Sequence, residues 1–257
     1  MTIIATHTKP PPIPPATRPS HTTLRGRTVT LTRLLPNHAA LLFPLFNNDT
    51  PDQKALWTYI PDGPYDELDH LEKDLSAKSA SSDPLFFTIV DNHGCHDQPG
   101  RPVGYIALMN ISVEHRRIEI GHVMFSKLLQ RTTGATEAVF LLLQYSFDVL
   151  GFRRVEWKCN NLNEGSKRAA QRLGFQYEGL FRQHMVVKGR NRDTAWFSIV
   201  NGEWEDVKEV LETWLKEGNF DSEGTQVQAL GEIREQVKAR REEDEQELEK
   251  LRTEMSA

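Results

Sequence analysis

A strand, a loop of small residues and a long apolar helix follow one another without a break in IEIGHVMFSKLLQRTTGATEAVFLLLQYSFDVLG, and this block limits what the chain can fold into. Residues 132–150 are apolar around most of the helix circumference, and Gly151 stands where a helix stop is needed, so this helix should be largely buried. Residues 117–125 provide a strand before it and residues 154–160 another after it, the order of an α/β fold. Regular alternation along 117–125 places Ile118, Ile120, His122 and Met124 on one face and Glu119, Gly121, Val123 and Phe125 on the other.

The rest of the chain continues in mixed order. Residues 28–34 alternate and predict a first strand, Asn37 can cap a helix running through Phe46, and residues 56–66 (LWTYIPDGPYD) form a Pro/Gly loop before an amphipathic helix from about Glu67. Strands are expected over 86–90, 103–109, 177–187 and 194–201, with a helix over 164–173 ended by Gly174. The two ends differ in character. Six prolines between Lys9 and Pro19 withhold backbone donors, so residues 1–20 are expected as an extended leader outside the fold. From Ser222 onward Glu, Lys, Arg and Gln surround thinly spaced Val227, Leu230, Ile233, Val237, Leu248 and Leu251, which predicts a solvated tail helix over 217–257 beyond one domain over 21–216. That helix is a candidate for binding a protein partner or for self-association.

A formal net charge of -5 argues against wholesale binding to nucleic acid, whose phosphates demand a concentrated basic surface, so an anionic ligand has to be met locally. Cys95 and Cys159 are far apart and outside any CxxC pair, which suggests neither a disulfide framework nor a zinc site. His93, Cys95, His96 and Asp97 share one polar connection with no second ligand pair at suitable spacing, so no metal is expected. No apolar stretch reaches about 18 residues and no secretory leader is visible, which leaves the cytoplasm as the expected location without membrane attachment.

The mouth of the long helix is where the chemistry concentrates. Small residues entering a helix present consecutive backbone N–H groups and the positive end of its dipole, a physical site for a pyrophosphate. Lys127, Arg131, Lys167, Arg168 and Arg172 supply cations there. Gln130-Arg131-Thr132-Thr133-Gly134-Ala135, followed by Thr136-Glu137-Ala138, resembles the pyrophosphate loop of the GNAT acetyltransferases, with Thr133 at the usual glycine position. Asn163-x-x-Ser166 and Leu173-Gly174-Phe175-x-x-Glu178-Gly179-x-x-Arg182 resemble the RimJ/RimL-like branch, which acetylates ribosomal proteins; the similarity runs over residues 24–205.

That resemblance implies a GNAT fold: a central mixed sheet, splayed between its fourth and fifth strands and flanked by helices, here with the added charged C-terminal helix. Acetyl-coenzyme A would lie in the splay, its thioester near Val123, Met124 and Phe125, its pyrophosphate over 131–136, with no metal. Asn163 would hold the cofactor arm, Ser166 would protonate the departing thiolate, and Trp57 and Tyr59 would wall the pocket of the amine acceptor. Glu119, eleven residues before Gln130, matches the spacing of the base glutamate in histone-acetylating members. His122 is its rival by ordinary pKa, and alternation lets both face the amine only if a bulge intervenes. Close relatives carry a sixth-strand glutamate where this chain has Met185; His184, its neighbour, would face away in a regular strand. Asp193 suits a turn. Two functions follow from the resemblance: transfer of acetyl to a primary amine, on a protein or peptide N-terminus or a small molecule, or a non-catalytic acyl-coenzyme A-binding scaffold acting through the C-terminal helix.

Overall fold

A computed structural model describes residues 14–47, 50–92 and 100–255. Eight strands form one sheet in the order β1-β2-β3-β4-β5-β6-β8-β7. They are β1 (Leu24–Arg25), β2 (Val29–Arg33), β3 (Leu85–Asp91), β4 (Arg101–Ser112), β5 (Arg117–Phe125), β6 (Arg154–Asn160), β7 (Gln176–Val187) and β8 (Arg190–Val200). Only β5 and β6 run parallel, because the long helix carries the chain back between them; the other neighbours are antiparallel.

The sheet has a core on each face. Ile106 and Leu108 of β4 enter one, Tyr105 and Ala107 the other, as a pleat requires. The larger core takes α4 (Thr133–Gln144), a following π turn over Tyr145–Val149, and α6 (Asn201–Leu215). The smaller holds α1 (Ala39–Phe46), Trp57 after the short α2 (Pro51–Leu56), and α3 (Leu68–Ala80). Gly151 at φ +73° and Gly174 at φ +102° end α4's extension and α5 (Glu164–Arg172), a left-handed conformation that side chains disfavour.

Four expectations change. Asn37 lies inside a 3-10 turn over Pro36–His38, and His38 Nδ1 accepts from Leu35 N at 3.3 Å, so the start of α1 is organised by His38 instead. Residues 14–20 are not outside the fold: Ala16 N donates to Val113 O at 3.1 Å and Thr17 N to Leu150 O at 2.8 Å, the donors that the flanking prolines lack. α6 was not anticipated; it buries Trp204, Val210, Leu211, Trp214 and Leu215. The tail helix, α7 (Leu230–Met255), is solvated only in part, since Leu230, Ile233 and Val237 join the larger core while Leu248 and Leu251 are exposed. Among the described residues no helix is long and apolar enough to cross a membrane.

Candidate active site

β5 and β6 pair over three residues only, Arg117 with Arg154, Ile118 with Val155 and Glu119 with Glu156, and then part. β6 stays paired with β8 along its whole length, so the gap opens on the β5 side. The cause is local. The β4–β5 register slips between Tyr105 and Ala107, and His122 takes φ +47°. That bulge reverses the alternation of β5: Ile118 and Ile120 enter the larger core, but Met124 enters the smaller one. The bulge is the condition under which Glu119 and His122 can share a site, and both border the same cleft of about 620 Å³.

Glu119 is buried, and its Oε2 accepts from Asn110 Nδ2 at 2.6 Å and from Lys158 Nζ at 2.5 Å. Lys158 also pairs with Glu156 at 2.7 Å and sits 4.2 Å above the Trp196 ring. Glu156 in turn accepts from Arg154 at 2.8 Å, and Arg154 also pairs with Glu178. Burial alone would raise the Glu156 pKa, but its hydrogen bonds to Lys158 and Arg154 hold it below the ordinary carboxylate value. The other oxygen of Glu119, Oε1, is outside these bonds and lies 3.7 Å from where a Cβ on Gly121 would stand. Gly121 therefore leaves it open toward the cleft. Lys158 was not singled out in the sequence, although Glu156 and Lys158 alternate on one strand face and signal a charged pair pointing inward.

His122 lies 5.1 Å from the Phe86 ring, and among the described residues its buried Nδ1 has no hydrogen-bond partner. Burial pushes its pKa below the ordinary 6.5, Lys78 adds to the effect, and Asp62 and Asp74 oppose it. The imidazole is therefore neutral at neutral pH and able to accept a proton.

Asn163 does cap α5, its Oδ1 accepting from Ser166 N at 3.0 Å, and both residues also border the cleft. Trp157 Nε1 donates to Ser166 Oγ at 2.9 Å, which leaves the serine hydrogen available to donate elsewhere. Cys159 is buried beside it, and burial pushes the thiol pKa up, the opposite of what a nucleophilic thiolate needs.

A second stretch of about 600 Å³ continues from this cleft between α4 and α5. The two share Tyr59, Val123, Trp157, Asn163 and Ser166, so they form one groove with a waist. The second stretch is bordered by Phe125, Gln130, Arg131, Ala135, Thr136 and Arg168. Met124 borders it too, though its side chain is 1% exposed and packs in the smaller core. Gln130 Nε2 donates to Phe125 O at 3.0 Å, and Arg131 adopts φ +64°, so the departure from a right-handed backbone falls at Arg131 and not at Thr133. Thr132 is the N-cap of α4, its hydroxyl accepting from Ala135 N at 3.3 Å. A side chain on Gly134 would come within 2.7 Å of Val29 Cγ1, so this glycine lets α4 press onto β2. Glu137 does not face the groove; its carboxylate accepts from the amides of Arg27, Thr28 and Val29 at 2.6–2.9 Å and clamps the β1–β2 turn. The loop thus offers the first amides of α4, which lack intrahelical acceptors, beside Arg131 and Arg168, a donor set suited to a diphosphate.

The acceptor wall needs correction. Trp57 is 1% exposed, donates its indole N–H to Phe46 O at 3.0 Å and packs edge-on against Phe46 and Tyr65; it plugs the smaller core instead of lining the cleft. Tyr59 does line it, and its hydroxyl ties to Leu162 O at 2.9 Å. His184 and Met185 both border the cleft, because β7 also bulges between Phe181 and Met185, with Gln183 at φ +49°. His184 Nδ1 is bonded to Thr194 Oγ1 at 3.0 Å. Asp193 does not end a turn: it lies within β8 and accepts from Gln183 N at 2.7 Å at the bulge of β7, and that bond with one from Asn191 lowers its pKa. His93, Cys95, His96 and Asp97 lie outside the described residues, among which no metal-holding group of His, Cys, Asp and Glu occurs.

Residues 28–176 match the model of the acetyltransferase (GNAT) domain. A GCN5-related N-acetyltransferase from Brucella melitensis, known as a crystal structure, is 43% identical, with a TM-score of 0.82 over 87% of this chain and 98% of that one. The N-acetyltransferase YoaA of Bacillus subtilis strain 168, itself uncharacterized, is 35% identical over 98 residues, 38% of this chain and 55% of its own length. YdaF of the same organism, provisionally named a ribosomal N-acetyltransferase, is 32% identical over 109 residues, 42% of this chain and 59% of its own length. The chain thus spans little more than half the length of these two relatives. The gap between β5 and β6, the α4 mouth beside it and these matches together place the chain in the GNAT acetyltransferase family.

Proposed function

We propose that this chain transfers the acetyl group of acetyl-coenzyme A to a primary amine, on a peptide or protein N-terminus or a small molecule, by direct attack. One observation carries the reading: a single groove runs from the α4 mouth, past the end of the β5–β6 pairing, to the pocket of Glu119 and His122. Coenzyme A supplies an activated acetyl thioester. The first amides of α4, with Arg131 and Arg168, hold its diphosphate, and the unpaired edge of β5 at Val123 orients the acyl carbonyl. Glu119 Oε1 receives the acceptor ammonium, while its Oε2 stays neutralised by Lys158. His122, neutral and desolvated, takes the first proton and frees the amine lone pair for attack; Ser166, oriented by Trp157, protonates the departing thiolate sulfur, and the second amine proton, released as the amide forms, restores the serine.

The open cleft between Tyr59 and the β7–β8 hairpin suits an extended acceptor, and the provisional name of YdaF supports a peptide N-terminus of the RimJ/RimL type. The test is release of free thiol from acetyl-coenzyme A across a panel of amines and N-terminal peptides. Turnover with at least one primary amine is expected; tight cofactor binding without turnover on any acceptor would favour the scaffold function instead.

A further inference from the structure

The groove continues past Arg131 and Arg172 into a cavity of about 640 Å³ whose outer wall lies beyond the segment matched to the family: Trp214, Phe220 and Gln226. This wall is firmly built. Asn219, 8% exposed, donates to Trp214 O at 3.0 Å and Gln228 O at 3.1 Å and accepts from Gln228 N at 2.9 Å. Trp214 Nε1 donates to Gln226 Oε1 at 2.9 Å, which leaves the Gln226 amide hydrogens as donors. Arg172 lies 4.8 Å over the Trp214 ring and donates to Thr136 Oγ1 at 2.9 Å. Arg234 of α7 donates to Arg172 O at 2.7 Å and brings a second guanidinium beside it. Burial first, and the charge of Arg234 second, lower the pKa of Arg172. Among the described residues no ion pair with a carboxylate holds Arg131, Arg172 or Arg234. Arginines held together without a counter-charge beside amide donors suit a phosphate monoester, which takes several charge-assisted bonds at once.

We propose that the segment 214–234 completes a receptor for the 3′-phosphate at the nucleotide end of coenzyme A, with Arg131, Arg172 and Gln226 as ligands and Arg234 positioning Arg172. The chain then reads the nucleotide end of the carrier as well as its diphosphate and pantetheine arm, with Arg131 shared between the two phosphate groups. This rests on the acetyl-coenzyme A reading above, and the experiment separates the two. Calorimetric titration of the full chain compares coenzyme A with dephospho-coenzyme A, which lacks only the 3′-phosphate. Coenzyme A should bind at least about tenfold more tightly, the worth of one charge-assisted hydrogen bond. Arg234→Ala and Gln226→Leu should bring that ratio toward one while leaving dephospho-coenzyme A within about twofold of its original affinity. Equal affinity of the unaltered chain for both carriers overturns the phosphate site and leaves the acetyltransferase reading standing, whatever the variants do. Variants that weaken both carriers equally also overturn it, and failure of both carriers to bind overturns the two readings together.

Discussion

Ser166, His122 and Lys158 each occupy a position whose chemistry can be separated by substitution. Ser166→Ala removes a hydroxyl that accepts from Trp157 and is hydrogen-bonded to Cys159 but leaves the α5 cap on Asn163 untouched. Turnover should fall about a hundredfold, with acetyl-coenzyme A affinity unchanged within about twofold, as stopped-flow and titration would measure. Unchanged turnover would remove Ser166 from the mechanism. His122 loses its proton below 6.5, so kcat/KM should hold at that pH and fall only as the pH drops through the lowered value. The native state binds this proton less readily than the unfolded chain, so stability is untouched above 6.5 and declines as pH falls below it. His122→Gln should abolish that acid limb of the rate profile. Lys158→Met leaves Glu119 and Glu156 buried without their shared counter-charge and should cost about 3–5 kcal/mol in denaturant unfolding. A loss below about 1 kcal/mol would mean that Arg154 suffices for Glu156 and Asn110 for Glu119 without Lys158.

Elements are joined less evenly than their order suggests. The distal half of α7 is exposed throughout, whereas Leu230, Ile233 and Val237 are 2%, 1% and 6% exposed. Each such side chain contributes about 1.5–3 kcal/mol by burial. Truncation after Gly218 should therefore lower Tm by more than about 10 °C, while truncation after Glu243 should leave it within about 2 °C. Equal melting of the two truncations would show that α7 is not part of the core. The bulge of β5 belongs to this scale as well: it requires a left-handed residue, and His122 takes that conformation with its ring against Phe86. Nothing in a run of alternating residues marks that site, because the pleat is broken by the mismatch in length between β4 and β5.

On the proposed reading, residues of β5, α4, α5 and the C-terminal segment hold the carrier together, so ligation should tie those parts to one another. Saturation at about 100 times Kd adds about 2.7 kcal/mol, which should raise Tm by about 5–10 °C in a thermal shift measurement. The span of β5 and β6, the buried α4, the glycine stops and the small-residue mouth of α4 were all legible in the amino-acid order, because each depends on periodicity or on a residue with a local conformational demand. Ser166, Asn163 and Tyr59 were likewise legible as residues of the cleft. Other assignments were not. Trp57 and Tyr59 sit two residues apart in one loop, yet one plugs the core and the other lines the cleft. The pairing of Glu119 with Lys158 joins strands separated by α4, and the burial of α7 depends on α6. Local order decides which segments become strands and helices, since that choice is made by neighbouring residues; which side chain meets which across the β5–β6 gap is a long-range matter, decided only when bulges shift the register and distant segments pack.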